Sequence, residues 1–269
     1  MKIGTRDFDI ANHTYVMGIL NVTPDSFSDG GKWNEADAAL RHVEEMVQCG
    51  VDLVDIGGES TRPGYEMIPI AQEIERVCPV IEQIKARFDI PISLDTYKSA
   101  VAAAGIEAGA DLINDIWGLK ADPHMGEVIA EAGAACCLMH NRMFPAEGNF
   151  LDALRADLKE TLELADQAKI MPERIILDPG VGFGKTYEQN LQCIAHLDVL
   201  HEFGLPILLG TSRKSVVGLT LDLPVNERLE GTLATTAAAV EQRAAFVRVH
   251  DVREHVRFIR MAEAIRDCR

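Results

Sequence analysis

Residues 51–64 read VDLVDIGGESTRPG, and the rest of the fold can be predicted outward from this stretch. The run at 52–56 is short and largely apolar, which is typical of a parallel strand buried on both faces. A polar, glycine-rich loop follows it, and residues 73–87 then carry apolar side chains at helical spacing. The stretch and its continuation therefore predict one strand, one loop and one helix in succession.

The same succession recurs along the chain. Short apolar runs occur at 15–20, 52–56, 90–94, 111–113, 134–139, 174–177, 205–209 and 245–249. Helices are predicted at 35–48, with Asn34 as N-cap, and at 73–87, 99–108, 123–131, 154–168, 188–201, 227–242 and 252–266.

Eight strand–helix units within about 250 residues predict an α/β protein folded as a single (β/α)8 barrel. A doubly wound open sheet is the alternative, although it usually has fewer strands at this length. The residues before the first strand are expected to form a short N-terminal hairpin that closes the bottom of the barrel.

The composition is that of an ordinary globular chain with an acidic surface. No linker, charge block or low-complexity tract divides the 269 residues, so one domain, 1–269, is predicted. The 47% apolar and 25% charged residues exclude a disordered chain. The net charge of -16 repels phosphate backbones, so no nucleic-acid partner is expected. Anionic small molecules are compatible with this charge where Lys and Arg gather locally.

The cysteines and the N-terminus indicate the compartment. The six cysteines form no CxxC pair and have no Cys/His spacing suited to zinc, so buried thiols in a reducing compartment are favoured. The first residues lack a signal-peptide pattern, and no apolar stretch approaches the roughly 20 residues of a membrane span. We therefore expect a cytoplasmic protein with no membrane partner.

Almost every apolar run ends in a polar or glycine-rich signature at its carboxyl edge. In a closed barrel these edges meet at one rim, where such enzymes place their active sites. A shared binding site explains eight such signatures in succession better than eight unrelated helix caps do. The signatures are Asn21, 55–62, Asp95, Asn114 with Asp115, His140, 178–180, 212–215 and 248–251.

Several of these residues have a predicted binding role and a plainer alternative. Asn21 offers an amide oxygen suited to Mg²⁺, although a loop cap explains it equally well. Asp95, Asn114 and Asp178 can pair with the alternating donors and acceptors of a flat heterocycle. A lone Asp at a strand end is more often a helix cap, particularly Asp178 before Pro179. Their convergence at one rim favours binding.

The last two strands add positive charge. Lys214, Arg248 and His250 indicate an anion clamp within a rim otherwise rich in Asp. Alternate strand residues share a face, so Arg248 and His250 are expected to point together into the barrel mouth. The alternative for Arg248 is a structural salt bridge to Asp251 or Asp178.

Two long glycine- and proline-bearing loops, 22–33 and 57–69, are expected to be functional lids. A lid of this kind closes over a bound molecule and needs polar and aromatic side chains that reach it. The candidate lid residues are Asp25, Phe27, Asp29, Thr61, Arg62 and Pro63.

Residues 17–31, MGILNVTPDSFSDGG, and 57–64, GGESTRPG, resemble the first two signatures of the dihydropteroate synthase family, which are pterin-binding TIM barrels. The resemblance continues in order nearly to the end of the chain. The further matching segments are 93–96 (SLDT), 113–115 (IND), 138–140 (LMH), 178–185 (DPGVGFGK), 212–215 (SRKS) and 248–251 (RVHD).

The resemblance implies a transferase of folate biosynthesis. Such an enzyme condenses 6-hydroxymethyl-7,8-dihydropterin diphosphate with p-aminobenzoate to give 7,8-dihydropteroate and diphosphate. The family uses Mg²⁺, is a target of sulfonamides, and usually forms homodimers through helices at the side of the barrel.

The resemblance also implies roles for individual residues. The pterin ring would be bound by Asp95, Asn114, Asp178 and Lys214. The diphosphate would be bound by Mg²⁺ on Asn21 and by Thr61, Arg62, Arg248 and His250. The p-aminobenzoate would be bound by Phe27, Arg62, Pro63, Phe183, Lys214 and Ser215. Asp29 would act in the lid, and Asp95, Lys214 and Arg248 would be catalytic.

Two alternative functions use the same kind of barrel. A pterin-dependent corrinoid methyltransferase would share Asp95, Asn114 and Asp178 but has no use for a diphosphate clamp. A catalytically inactive pterin-binding barrel would tend to lose the charged rim. The chain departs from the family pattern after His140, where residues 141–145 read NRMFP, and this departure concerns pterin access rather than the activity.

Overall fold

A computed structural model describes residues 1–22, 31–59 and 67–268, except for the side chains of residues 31–36. The N-terminal hairpin consists of β1 (Lys2–Ile3) and β2 (Arg6–Asp7). The eight parallel strands are β3 (Tyr15–Asn21), β4 (Leu53–Gly57), β5 (Ile92–Asp95), β6 (Leu112–Asp115), β7 (Ala135–Met139), β8 (Ile175–Asp178), β9 (Leu208–Leu209) and β10 (Phe246–Val249).

Helices follow the parallel strands and form the outer layer. The helices of the described ranges are α1 (Gly31–Cys49), α2 (Ile70–Arg87), α3 (Ser99–Ala108), α4 (Met125–Ala132), α5 (Phe150–Gln167), α6 (Tyr187–Ala195), α7 (Asp198–His201), α8 (Ser215–Leu221), α9 (Leu229–Glu241) and α10 (Val252–Asp267). Short 3-10 turns at Pro172–Arg174 and Val225–Glu227 precede β8 and α9.

The eight parallel strands close on themselves. Neighbouring strands follow the order β8-β7-β6-β5-β4-β3-β10-β9. The segment that leads into β9 returns to β8 through a parallel bridge between Leu177 and Ile207, and the Leu177 amide donates to the Pro206 carbonyl at 2.9 Å. The predicted barrel is confirmed, and the open-sheet alternative is wrong because an open sheet leaves its two edge strands apart.

The predicted hairpin is present and fills the amino-terminal end of the barrel. Strand β1 pairs antiparallel with β2, and Phe8 lies just beyond them. The Phe8 ring packs edge-to-face on Tyr15, with centroids 4.8 Å apart, and lies 5.5 Å from the Phe246 ring. The apolar cluster at this end consists of Ile3, Phe8, Met17, Leu53, Leu112, Ala135, Cys137, Ile176, Leu208, Ala245 and Phe246. The barrel interior at this end is therefore apolar.

A larger apolar cluster lies between the strands and the surrounding helices. The neighbours Cys136 and Cys137 belong to different clusters because successive strand residues point to opposite faces. Both are buried free thiols, as predicted. Within the described ranges, no helix combines the length and the apolarity that a transmembrane segment needs.

Five of the eight parallel strands, β3, β4, β5, β6 and β8, extend further at their carboxyl ends than the apolar runs predict. The residues placed after the strands by the sequence pattern, among them Asn21, Gly57, Asp95 and Asp178, are the last residues of β3, β4, β5 and β8. Their backbone still pairs with the neighbouring strands, so a polar side chain does not end the ladder. The directions of these side chains are consequently set by the sheet rather than by loops.

The predicted helix at 188–201 is wrong, since the structure has α6 and α7 in its place. The Gln242 side chain occupies the break between them. It accepts a hydrogen bond from the Leu197 amide at 2.9 Å and donates one to the Ile194 carbonyl at 2.8 Å. A long-range partner thus satisfies backbone groups that a continuous helix would pair internally.

Two further helices differ from the prediction. Helix α1 begins at Gly31, so Asn34 lies inside its first turn and is not the N-cap. Helix α8 is absent from the prediction, because Val, Thr and Gly make up most of Ser215–Leu221 and are weak helix formers. Tertiary packing of the buried Val216 and Val217 stabilises it instead.

We expect Phe8→Ala to destabilise the protein without a large effect on catalysis. The ring is 3% exposed and fills the bottom of the barrel, so its loss should lower the free energy of unfolding by about 3–5 kcal/mol. Urea unfolding measures this, with Phe144→Ala as the control because Phe144 is 77% exposed. Equal effects of the two substitutions would show that the hairpin does not seal the barrel.

Candidate active site

Four strands bring one row of residues to the barrel mouth. Asn21 on β3 is in register with Gly57 on β4, Gly57 with Asp95 on β5, and Asp95 with Asn114 on β6. Gly57 keeps the row open, since a β-carbon there would lie 3.7 Å from Asn21 Oδ1 and 3.7 Å from Asp95 Cβ. Asn21, Asp95 and Asn114 therefore converge, as the sequence predicts.

A buried ion-pair network extends from Asp95 in this row into the interior of the barrel. Arg248 Nε donates to Asp55 Oδ2 at 2.6 Å, and Arg248 Nη2 donates to Asp95 Oδ2 at 2.8 Å. Asp55 is fully buried and also accepts from Ser93 Oγ and, at 3.4 Å, from Asn114 Nδ2. One guanidinium thus compensates two carboxylates inside the barrel.

The predicted alternative partners of Arg248 are wrong. Asp251 instead pairs with both Arg213 Nε, at 3.1 Å, and Arg213 Nη2. The Asp178 carboxylate accepts from the Gly180 amide rather than from Arg248. Arg248 points into the barrel, and no local pattern indicates its actual partners because they are distant in the chain.

Asp95 has the most unusual environment of these carboxyl groups. Burial raises its pKa from 3.8 to about 7, against the attraction of Arg248 and with added repulsion from Asp55. Its second oxygen, Oδ1, is buried and lacks a hydrogen-bond partner among the described residues. A buried acceptor without a partner is costly, so Oδ1 is suited to a donor on a bound molecule.

Asp178 and Lys214 face each other on the other side of the mouth. The Gly180 amide donates to Asp178 Oδ1 at 2.7 Å, which fixes the carboxyl plane. A β-carbon on Gly210 would lie 3.6 Å from Asp178 Oδ2 and 3.7 Å from Lys214 Nζ. The absence of a side chain at Gly210 therefore leaves room between the carboxylate and the ammonium.

The Lys214 ammonium is held at the mouth by the loop after β8. Its Nζ donates to the Val181 carbonyl at 2.6 Å and lies 4.7 Å from the centre of the Phe183 ring. Burial lowers the pKa of Lys214 to about 8, against the attraction of Asp178. Burial likewise raises the pKa of Asp178, against the attraction of Lys214. This half of the site therefore contains a hydrogen-bond acceptor (Asp178), a cation (Lys214) and an aromatic ring (Phe183).

His250 and Ser215 lie beside this half. Ser212 Oγ and His250 Nδ1 are 2.9 Å apart, and the His250 amide donates to Ser212 Oγ at 3.1 Å. Ser215 is the exposed first residue of α8, next to Lys214. The remaining predicted site residues, Phe27, Asp29, Thr61, Arg62 and Pro63, fall outside the described residues, as does most of each predicted lid.

The predicted magnesium site at Asn21 can be judged by the oxygen ligands that the described residues supply. The described residues contain no group of three His, Cys, Asp or Glu side chains able to hold a metal by themselves. Asn21 supplies one hard oxygen near the mouth, and Mg²⁺ commonly binds through one protein oxygen, waters and substrate phosphates. The donor set therefore suits a metal that is shared between the protein and a phosphate group.

The loop that departs from the family pattern is anchored to α5. Asp157 accepts from Arg142 Nη2 at 3.0 Å and lies 2.8 Å from His140 Nε2. Burial lowers the pKa of His140 to about 4, against the effect of Asp157, so the ring is neutral at physiological pH. Met143 and Phe144 follow and are 74% and 77% exposed. His140 therefore fixes a loop in this structure rather than facing the row of Asp95 and Asn114.

The sequence gives no individual role to two residues that contact Arg248 or its partners. Asp55 belongs to the predicted rim signature 55–62 but has no assigned role there, and Ser93 lies within a run assigned to a buried apolar strand. The available signal was a carboxylate at an inward position of such a run, because a buried charge needs a partner. The partner itself could not be read from the pattern.

Comparison with known proteins decides the family. The family model described as pterin binding enzyme matches residues 17–250. The chain belongs to this family. It is 56% identical over 266 residues to the dihydropteroate synthase of Clostridium beijerinckii, covering 98% of this chain and 99% of that protein. It is 49% identical over 252 residues to that of Bacillus subtilis, covering 94% and 88%.

Solved structures of family members agree with the fold. Dihydropteroate synthase from Clostridium difficile, determined in the presence of pteroic acid, has a TM-score of 0.94 at 46% identity and covers 96% of this chain and 99% of its own. The enzyme from Xanthomonas albilineans with 4-aminobenzoic acid has a TM-score of 0.90 at 40% identity, covering 95% and 94%. A Yersinia pestis enzyme with a sulfonamide drug has a TM-score of 0.92 at 42% identity, covering 100% and 99%.

We expect the stability of the protein to depend on the protonation of Asp95. Its folded pKa of about 7 exceeds the ordinary 3.8, so the folded protein holds a proton that the unfolded chain releases. This contribution is fully present below about pH 4 and is lost as the pH rises to about 7.

The wild type should lose stability relative to Asp95→Asn by on the order of a few kcal/mol across this range. Urea unfolding of both proteins at several pH values measures the difference. Asn carries no titrating proton, so a difference that stays constant with pH would contradict the assignment to Asp95.

Proposed function

We propose that this chain catalyses the dihydropteroate synthase reaction, in which 6-hydroxymethyl-7,8-dihydropterin diphosphate and p-aminobenzoate give 7,8-dihydropteroate and diphosphate. The observation that carries the proposal is the composition of the barrel mouth. Carboxyl and amide groups that can hydrogen-bond a pterin ring lie there beside the cations Lys214 and Arg248. Identity to curated dihydropteroate synthases of 42–56% over nearly the whole chain supports it. The chain is thus a transferase of folate biosynthesis.

The pterin ring would lie between the two halves of the mouth. Asp95 Oδ1 and Asp178 Oδ2 supply acceptors for ring and amino N–H groups, and Asn114 supplies an amide with both donor and acceptor. Lys214 supplies a donor for the ring carbonyl. Most of these groups lie on strand ends or beside them, so binding requires little rearrangement.

The diphosphate would lie toward Arg248 and His250, with Thr61 and Arg62 from the second predicted lid. Arg248 uses Nε and Nη2 for the carboxylates, and its Nη1 makes no hydrogen bond among the described residues. That nitrogen is available to a phosphate oxygen. Mg²⁺ held through Asn21 would supply further neutralisation of the departing charge.

The p-aminobenzoate would lie over Phe183 and Lys214, beside Ser215, with Phe27, Arg62 and Pro63 from the lids and Asp29 assisting closure. An aromatic face and cations suit a benzoate, which is flat and anionic. The Yersinia pestis relative was determined with a sulfonamide drug, and we propose that such compounds occupy the same place in this chain.

The chemistry breaks the bond between the pterin methylene carbon and the diphosphate oxygen, and the oxygen keeps the electron pair. The amine nitrogen then forms the new bond to the methylene and releases one proton to solvent. Arylamines are nucleophilic at neutral pH without deprotonation, so the site needs no strong base. The carboxylate of Asp95 would stabilise positive charge that develops on the pterin.

We further propose a cytoplasmic homodimer. Leu219, Leu221 and Val225 are exposed at α8 and the turn after it, at the side of the barrel. An exposed apolar patch of this kind suits contact with a second copy. Light scattering that returns the 29.5 kDa mass of one chain would contradict the dimer.

The activity is tested by supplying both substrates with Mg²⁺ and measuring dihydropteroate by chromatography. We expect product from the wild type and a loss of at least 100-fold in kcat/KM for Asp95→Asn. The alternative methyltransferase activity is tested in parallel with methyltetrahydrofolate and a corrinoid acceptor. A folded wild type that forms no dihydropteroate would contradict the proposal.

We expect Asp178→Asn to weaken pterin binding by about 1.5–3 kcal/mol, because the variant loses a charged acceptor facing two ring donors. The Gly180 amide keeps its partner through the Asn oxygen, so the melting temperature should change little. Calorimetry with the pterin diphosphate measures the affinity, and Asp166→Asn on the exposed face of α5 is the control. An unchanged affinity would show that Asp178 only caps the turn that follows its strand and does not bind the pterin.

A further inference from the structure

Lys185 connects two segments of backbone beside the site, the end of β7 and the turn after β8, without taking part in it. Its Nζ donates to the carbonyls of Gly180 at 2.8 Å, Phe183 at 3.0 Å and His140 at 3.3 Å. An ammonium has three N–H donors, so backbone carbonyls occupy them all. Within the described residues, the hydrogen bonds of Lys185 Nζ go to backbone carbonyls and none goes to a carboxylate. This lysine therefore organises backbone rather than forming a salt bridge.

The turn that Lys185 holds packs its backbone directly against the backbone of residues 140–142. No side chain fits between the two at Gly180 or Gly184. Gly180 has φ of +69°, and a β-carbon there would lie 1.9 Å from the His140 carbonyl oxygen. Gly184 has φ of +54°, and a β-carbon there would lie 2.0 Å from the Arg142 carbonyl oxygen. Backbone thus packs on backbone, and the three carbonyls that converge need a cation to offset their mutual repulsion.

This turn carries the contacts that place Lys214. The Val181 carbonyl accepts from Lys214 Nζ at 2.6 Å, and the Phe183 ring lies 4.7 Å from the same atom. Both residues belong to the segment whose Gly180 and Phe183 carbonyls Lys185 binds. By contrast, Asp95 and Asn114 are fixed by strand pairing on the far side of the barrel.

We propose that Lys185 is a positioning residue that shapes the p-aminobenzoate side of the site by holding Phe183 and Val181 against Lys214. The inference rests on the proposed function of that side. Loss of the ammonium releases the turn, so Phe183 and Lys214 lose their fixed relation. Binding of p-aminobenzoate uses both Phe183 and Lys214 and is therefore affected more than pterin binding. The pterin ring loses only the fixed position of Lys214, because Asp95, Asn114 and Asp178 remain on their strands.

Steady-state kinetics and calorimetry on purified Lys185→Met test this. Met keeps the length and the apolar stem of the side chain but removes the ammonium. We expect KM for p-aminobenzoate to rise at least tenfold, with the Kd of the pterin diphosphate within threefold of wild type. Lys159→Met, on the exposed face of α5, is the matched control and should change neither value.

A folded Lys185→Met with KM for p-aminobenzoate within twofold of wild type would overturn the inference, as would equal losses in both affinities. If the Met variant does not fold, Lys185→Gln replaces it, because its amide can still donate to two carbonyls. A KM that rises at least threefold in the Gln variant supports the inference, and an unchanged KM overturns it. A wild type that forms no dihydropteroate would contradict the proposed function itself, and the inference with it.

Discussion

The ion pairs of Arg248 with Asp55 and Asp95 are the interaction on which the mouth of this barrel depends. Two carboxylates, 0% and 7% exposed, lie within one barrel and need a cation between them. Taking charges out of water costs several kcal/mol per ion, which only a well-formed pair offsets. The guanidinium meets this requirement because its planar fork reaches both carboxylates at once. Without it, the row of polar strand ends above would rest on uncompensated charge.

The barrel therefore has three levels along its axis. Apolar side chains and the hairpin fill the bottom, the ion-pair network lies in the middle, and Asn21, Asp95, Asn114 and Asp178 line the mouth. Each level follows from the alternation of strand residues, since every second residue points inward. Burial in the middle and upper levels also produces the perturbed pKa values of Asp95 and Lys214. Perturbed groups of this kind are typical of functional sites.

Much of this arrangement could be predicted from the sequence, because it depends on local pattern. Short apolar runs that end in polar residues indicate the barrel, and the same pattern places Asp95, Asn114 and Asp178 at one rim. The partners of Arg248 could not be predicted, since Asp55 and Asp95 are separated from it by 193 and 153 residues. The break between α6 and α7 is unpredictable for the same reason, because the Gln242 side chain reaches it from the end of α9.

A double-mutant cycle on Asp55 and Arg248 tests the central claim most directly. Arg248→Met should lower the free energy of unfolding by about 3–5 kcal/mol, because it leaves buried carboxylates without a counter-charge. Adding Asp55→Asn should restore part of that loss, giving a coupling energy of about 1 kcal/mol or more from urea unfolding at neutral pH. Effects that add to within about 0.5 kcal/mol would contradict the account, since the barrel mouth would then not depend on this pair.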